Sequence, residues 1–215
     1  MIFTKNRWIF EQDFDDLKTR LQYFTYRKFT KDQVVNLLLN CNCQWLNFKV
    51  MEIDARLGFM QKLFSLQNDQ VRQVASLCPQ IVLWEGTFTQ LEDNYLAVKD
   101  WMGFEPAQLK KVLTTTPQVF LEKDTDIIQD RFDILHNEMG YSHQLLTRFP
   151  QALTIDAQIL KARLKLLQRL GKDQTNPEKP NFVNPSAFAQ YDDARFCEEV
   201  AKIPIDLYNK FLLTV

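Results

Sequence analysis

A short phrase recurs in this chain, in step with a second one, and that pairing restricts the fold more than any bulk property does. "CPQIVL" (Cys78–Leu83) returns as "TPQVFL" (Thr116–Leu121) and "FPQALT" (Phe149–Thr154). A looser copy, "NCQWLN" (Asn42–Asn47), has Cys43 where the others have Pro. Anchored on Cys43, Pro79, Pro117 and Pro150, the intervals are 36, 38 and 33 residues. The second phrase is an apolar residue followed three later by Arg and another apolar residue. It reads "LKTRL" (Leu17–Leu21), "IDARL" (Ile53–Leu57), "IQDRF" (Ile128–Phe132) and "LKARL" (Leu160–Leu164), with "LEDNY" (Leu91–Tyr95) placing Asn94 in the Arg slot. From slot to anchor is 23 residues in three copies and 19 in the fourth. A mid-30s period kept by two independent phrases marks a repeat architecture.

The periodicity within each copy is helical. Around the slot, positions −3, +1 and +4 are Leu17/Leu21/Phe24, Ile53/Leu57/Met60, Leu91/Tyr95/Val98, Ile128/Phe132/Leu135 and Leu160/Leu164/Leu167, all fifteen apolar. That spacing lines one face of a helix. Seven residues before the slot stand Asp13, Thr87, Asp124 and Asp156, which are good N-caps, with Lys49 as the exception. A second helix precedes each anchor, with Val35/Leu38/Leu39, Val71/Val74/Ala75 and Leu109/Val112/Leu113 on one face; the fourth copy keeps Leu145 and Leu146 but has Ser142 first. The anchor Pro then ends that helix, because a residue before Pro is pushed out of the α region.

Each copy therefore reads helix, turn, helix, Pro, short apolar segment. One such pair cannot bury its own stripe, so the copies are expected to stack into an all-α solenoid, a curved superhelix. The repeats occupy residues 1–171. "NRWIF" (Asn6–Phe10) lies in phase with "CQWLN", so the chain is expected to open inside a partial repeat with sequence removed upstream. After Gly171 the pattern breaks. "GKDQTNPEKPNFVNP" (Gly171–Pro185) reads as an extended connector. Residues 172–215 form a helical cap of the same domain, with Asp192 or Asp193 capping a helix through Lys202 and Asp206 a last one to Leu213.

Charge and composition exclude several classes of function. With 26 Lys/Arg against 27 Asp/Glu, the net charge of −1 offers no bulk attraction to nucleic acid or membrane. A polyanionic partner would need basic residues gathered on one face. No stretch approaches the roughly 20 apolar residues of a membrane helix, and the start lacks the features of a signal or transit peptide. Cys41, Cys43, Cys78 and Cys197 lack zinc spacing, so no metal is expected and the thiols read as small apolar side chains. "GKDQT" (Gly171–Thr175) lacks the upstream Gly of a phosphate loop, and His136 and His143 have no nucleophile to serve. No catalytic residue and no cofactor are expected.

Two rows of cations follow from the register. Arg20, Arg56, Arg131 and Arg163 recur once per copy at the edge of the apolar stripe. They suit phosphates spaced along a duplex, and equally suit helix C-terminal carbonyls or a neighbouring carboxylate. Seven residues before each anchor stand Asn36, Arg72, Lys110 and His143, with Lys111 and Arg148 nearby; these form a second polar rail or a solvated helix flank. Asp192, Asp193, Glu198 and Glu199 make the cap acidic, as a protein-docking surface or as complement to a helix dipole. Trp45, Trp84 and Trp101 stack bases if exposed and fill the core if not.

The Pro-x-φ-φ ending, the φ-x-x-Arg-φ opening and the period resemble the mitochondrial transcription termination factor (mTERF) family. The tail "KPNFV…RFCEEVAKIPIDLYNKFL" with "RLGFMQK", "FDILHNEMG" and "YFTYRKFTKDQV" is most similar to the family's third type. The resemblance spans essentially the whole chain and implies three-helix units stacked in a curve. It further implies a non-catalytic, monomeric regulator in the mitochondrial matrix that binds duplex DNA or RNA along a basic concave groove, in transcription repression or mitochondrial ribosome assembly. The alternative that it implies is a scaffold recruiting ribosome assembly factors or an RNA methyltransferase. Cys43, Asn94 and the short fourth copy depart from the family pattern.

Overall fold

A computed structural model of the chain describes residues 7–83, 88–190 and 192–214, which are helical throughout their ordered elements, with no strand among them. The paired helices are α1 (Phe14–Tyr26) and α2 (Lys31–Asn40), α3 (Val50–Leu63) and α4 (Asn68–Leu77), α5 (Phe88–Leu96) and α6 (Pro106–Thr115), and α7 (Thr125–Phe132) and α8 (His143–Arg148). The single long helix α9 (Ala157–Leu170) is followed by α10 (Ser186–Gln190), α11 (Asp193–Phe196) and α12 (Ile205–Leu212). Each anchor opens a short helical turn: Gln44–Asn47, Gln80–Leu83, Pro117–Leu121 and Pro150–Thr154. Among the described residues no helix is long and apolar enough to cross a membrane.

The capping chemistry agrees with the sequence. Asp13 accepts from the Asp15 and Asp16 amides at 2.9 and 3.1 Å, Asp124 from Asp126 at 3.0 Å, and Asp156 from Gln158 and Ile159 at 2.8 and 3.2 Å. Thr87 lies outside the described residues. At α3, where Lys49 cannot accept, Glu52 reaches back instead and takes the Lys49 amide at 2.9 Å. Asp192, not Asp193, caps α11, accepting from the Arg195 amide at 2.7 Å. The last helix starts with Pro204 at its cap, so Asp206 sits inside the first turn.

The turn joining the two helices of each copy has one left-handed residue that the repeat phrases did not announce: Lys28, Ser65, Gly103, Gly140 and Gly171, with φ of 58°, 51°, 72°, 74° and 63°. Gly bears this conformation without a Cβ penalty, whereas Lys28 and Ser65 carry it at some cost. In the first four copies the next apolar residue, Phe29, Leu66, Phe104 or Tyr141, is then buried. Left-handed geometry also explains the missing Pro. Cys43 has φ 61° and donates its amide to Leu38 O at 2.8 Å, two things that Pro cannot do. α2 thus closes on Asn42 and Cys43, where α4 and α8 close on a residue of negative φ outside the helical region, Cys78 or Phe149, before Pro.

The chain divides into two compact units, residues 1–93 with 113–121, and residues 94–112 with 122–215. In the first, α2 lies against α4, and the Gln80–Leu83 turn is wedged between α3 and the Pro117–Leu121 turn. Gln80, the residue after the anchor Pro, donates to Asn40 O at 3.0 Å, and Asn40 donates to Ser76 O at 3.3 Å. Phe24, Phe29 and Trp45 form an aromatic cluster with centroids 5.6–6.5 Å apart. In the second unit the Pro150–Thr154 turn is held by α7 and α10, and α12 packs on α9. The connector and cap belong to this unit, with Tyr141 donating to Val183 O at 2.6 Å.

Of the fifteen stripe positions on the first helices, all are buried except Leu17, Leu21 and Tyr95. The second helices follow the expected face in α4 and α6. In α2 the face is rotated: Leu37 is buried while Val35 and Leu39 are 45% and 49% exposed.

Candidate nucleic-acid interface

The arginine slot and the Pro anchor turn out to be two ends of one contact. Arg20 donates to Leu46 O, Arg56 to Val82 O at 2.9 Å, and Arg131 to Leu153 O at 3.4 Å. Each acceptor lies three residues after its anchor, on the short turn whose carbonyls have no helical partner of their own. Asn94 does the same work with a shorter arm, reaching Glu122 O at 2.7 Å. Arg163 donates to Phe188 O at 2.6 Å, and Phe188 stands three residues after Pro185. The connector therefore replaces only the second helix of a fifth copy, whose anchor survives in "NPSAF".

Carboxylates complete three of these contacts, Asp16 on Arg20 at 3.6 Å, Glu122 on Arg131, and Asp193 on Arg163 at 2.7 Å. Arg131 and Arg163 are 8% and 3% exposed, and Arg163 also lies 4.6 Å above the Phe196 ring. Arg20 and Arg56 are half-buried, the latter 5.0 Å from the Phe48 ring. Of the two roles open to the arginine row, the geometry fills the one toward carbonyls and carboxylates.

The second row is nearer to water. Asn36 is exposed, while Arg72, Lys110 and His143 are half-buried. Arg72 donates to Arg27 O at 3.4 Å, and His143 donates through Nε2 to Met102 O at 2.6 Å. The neighbouring Lys111 and Arg148 are exposed, and both line an open cavity of about 680 Å³ in the second unit. Ser142, Gln144, Thr147 and Asn176 supply hydroxyl and amide groups to its wall, and among the described residues no carboxylate lines it. Arg148 lies 5.4 Å over the Phe149 ring, which steadies its guanidinium. A concavity with two cations and neutral donors suits phosphate oxygens.

A sequence model of mTERF matches residues 9–186, most of the chain. The chain belongs to the mTERF family. Three curated relatives carry the name "Transcription termination factor 3, mitochondrial". The one from Drosophila melanogaster is 29% identical over 213 residues, 99% of this chain and 59% of the relative. Those from Rattus norvegicus and Mus musculus are 31% and 30% identical over 99% of this chain, and 51% and 50% of their own lengths. The chain thus spans about half the length of the curated relatives it matches. The mTERF match ends at residue 186, one beyond the fifth anchor, Pro185.

Other residues of this mTERF chain that the sequence singles out divide between core and surface. Trp45 is 2% exposed, a core residue, whereas Trp101 is 67% exposed; Trp84 lies outside the described residues. The acidic cap is partly engaged, with Asp192 capping α11, Asp193 on Arg163, and Glu199 on Arg195 at 2.7 Å. His136 and His143 lie with ring centroids 4.5 Å apart, flanked by Phe132 and Phe104, and His136 Nδ1 is 2.7 Å from Tyr141 O. All four cysteines are buried and unpaired as disulfides, and burial raises their thiol pKa, that of Cys78 to about 11. Among the described residues no cluster of His, Cys, Asp or Glu is placed to hold a metal ion.

The sequence reading missed Tyr26, Arg27 and Lys28. They line a second concavity, in the first unit, with Asn68 and Arg72. The available signal was a cationic pair beside an aromatic at a helix end, which no repeat position marks.

Proposed function

We propose that this protein is a non-catalytic, nucleic-acid-binding regulator of mitochondrial gene expression. Arg72, Lys110, Lys111 and Arg148 meet phosphates, and Arg20, Arg56, Arg131 and Arg163 hold the helical copies in register. The observation that carries the reading is the carboxylate-free concavity of Lys111 and Arg148. On a chain of net charge −1, such a local gathering of cations is what a polyanion requires. The family and the relatives' shared name support a mitochondrial role in transcription; a duplex of DNA or RNA is the target this reading assigns. Contact through phosphates implies little reading of base edges.

Fluorescence anisotropy with labelled duplex DNA and duplex RNA tests this. The charge-reversing pair Lys111→Glu and Arg148→Glu is expected to weaken binding at least tenfold on both. Both side chains are exposed, so the fold is expected to stand. Unchanged affinity in the double variant refutes the assignment. A second reading, a scaffold for a ribosomal or RNA-modifying protein, has one observation in its favour: Leu207, Leu212 and Leu213 are exposed on the cap. Micromolar or weaker binding of the unaltered protein to every nucleic acid favours that scaffold.

A further inference from the structure

The concavity of the first unit, unlike that of Lys111 and Arg148, has an exposed aromatic ring. It measures about 430 Å³ and is lined by Tyr26, Arg27, Lys28, Asn68 and Arg72, with no carboxylate in the wall among the described residues. Tyr26 ends α1 and is 78% exposed, so its ring face is open to solvent at the edge of the concavity. Its centroid lies 6.4 Å from that of the buried Tyr23. The left-handed turn at Lys28 follows at once, so the ring and the two cations share one rim.

Arg27 and Arg72 are held before any ligand arrives. Asp54 lies 3.4 Å from Arg27 and also accepts the Tyr23 hydroxyl at 2.6 Å, which ties the end of α1 to α3. Arg72 is braced from α4 by its bond to Arg27 O. Asn68 is fixed by Gln61, whose Nε2 donates to its Oδ1 at 3.1 Å. Asp54 offsets part of the charge of Arg27, leaving Lys28 and Arg72 as the cations of this wall without a carboxylate within salt-bridge distance among the described residues.

We infer that this concavity is a subsite for one unpaired nucleotide of a nucleic-acid strand. Its base stacks on Tyr26 and its phosphate lies between Lys28 and Arg72. A free phosphate would have no use for the ring, and a continuous duplex would offer it no base face. An exposed aromatic beside cations is how proteins hold single-stranded nucleic acid without regard to sequence. The volume lies within the range of small-ligand sites, about 300–1,000 Å³. The inference rests on the nucleic-acid-binding function proposed above and deepens it, placing an unpaired nucleotide beside the phosphate contact proposed for Arg72.

The test compares the unaltered protein with Tyr26→Ala and Tyr26→Phe, using labelled 12-mers of uridine RNA and thymidine DNA and a 12-bp duplex. Tyr26→Ala is expected to weaken binding of one or both single strands by fivefold or more, as loss of one stacking platform does. Tyr26→Phe, which keeps the ring, is expected to bind as the unaltered protein does, and the duplex affinity is expected not to move. The arm that responds, RNA or DNA, identifies the strand. Ultraviolet cross-linking of a 4-thiouridine or 4-thiothymidine strand gives an independent reading, with the Tyr26 peptide expected as an adduct. Equal single-strand affinity of the alanine variant, or adducts elsewhere only, overturns the subsite while leaving the proposed function in place. An unaltered protein that binds neither strand nor duplex overturns both.

Discussion

Arg163→Met separates the two roles open to the arginine row. The substitution keeps an unbranched apolar stem and removes the guanidinium. Phe188 O then loses its donor at 2.6 Å, in a place where water does not reach readily, since Phe188 is buried. An unsatisfied buried carbonyl costs about 1–3 kcal/mol. The ion pair with Asp193, whose side chain is 47% exposed, adds about 0–1 kcal/mol. Loss of the cation over Phe196 is largely offset by a thioether–aromatic contact. The sum is about 1–4 kcal/mol, which at about 2–4 °C per kcal/mol for a chain of this length lowers Tm by several degrees, about 8 °C at the middle of the range. Urea unfolding followed by circular dichroism reads it as a fall in midpoint. Arg56→Met, half-buried and bonded to Val82 O, is expected to cost about 1 kcal/mol. If Arg163→Met changes stability by less than about 0.5 kcal/mol while lowering nucleic-acid affinity tenfold, the structural role is refuted and the guanidinium serves a ligand.

Two further outcomes test local geometry. Cys43→Pro restores the residue found at the other anchors, yet is expected to destabilise by about 3 kcal/mol, because φ 61° and the amide bond to Leu38 O are both closed to Pro; a neutral urea midpoint would refute the left-handed closure of α2. The four buried thiols are expected to resist a thiol reagent at pH 8 in the folded protein and to react fully in urea. Because burial raises the Cys78 pKa to about 11 from its ordinary 9.0, its contribution is complete below pH 9 and is lost as pH rises towards 11. Cys78→Ala should flatten that alkaline fall in stability; an unchanged fall would show that another group causes it.

The repeat register made the helices legible because burial and periodicity have the same cause. Ile53, Leu57 and Met60 are spaced by the helix that buries them. The link between Arg slot and Pro anchor was present in the constant interval of 23 residues, but a spacing does not name the acceptor. That acceptor is a backbone carbonyl, which no side-chain pattern records. Left-handed turns at Lys28 and Ser65 escaped because neither residue signals φ > 0, and Pro185 was hidden because the helix that normally precedes an anchor is replaced by an extended segment. Lys111 and Arg148 were visible through the register. Tyr26 was not, since its exposure depends on how α1 meets α3 and α4.

The slope of log Kobs for duplex binding against log salt, measured for the unaltered protein and for a charge-neutral Lys111→Gln, Arg148→Gln variant, tests the central claim most directly. Each lost phosphate contact lowers the slope by about 1, so the account predicts a slope shallower by about 2 with an unchanged melting temperature. Parallel lines with the same slope would contradict it.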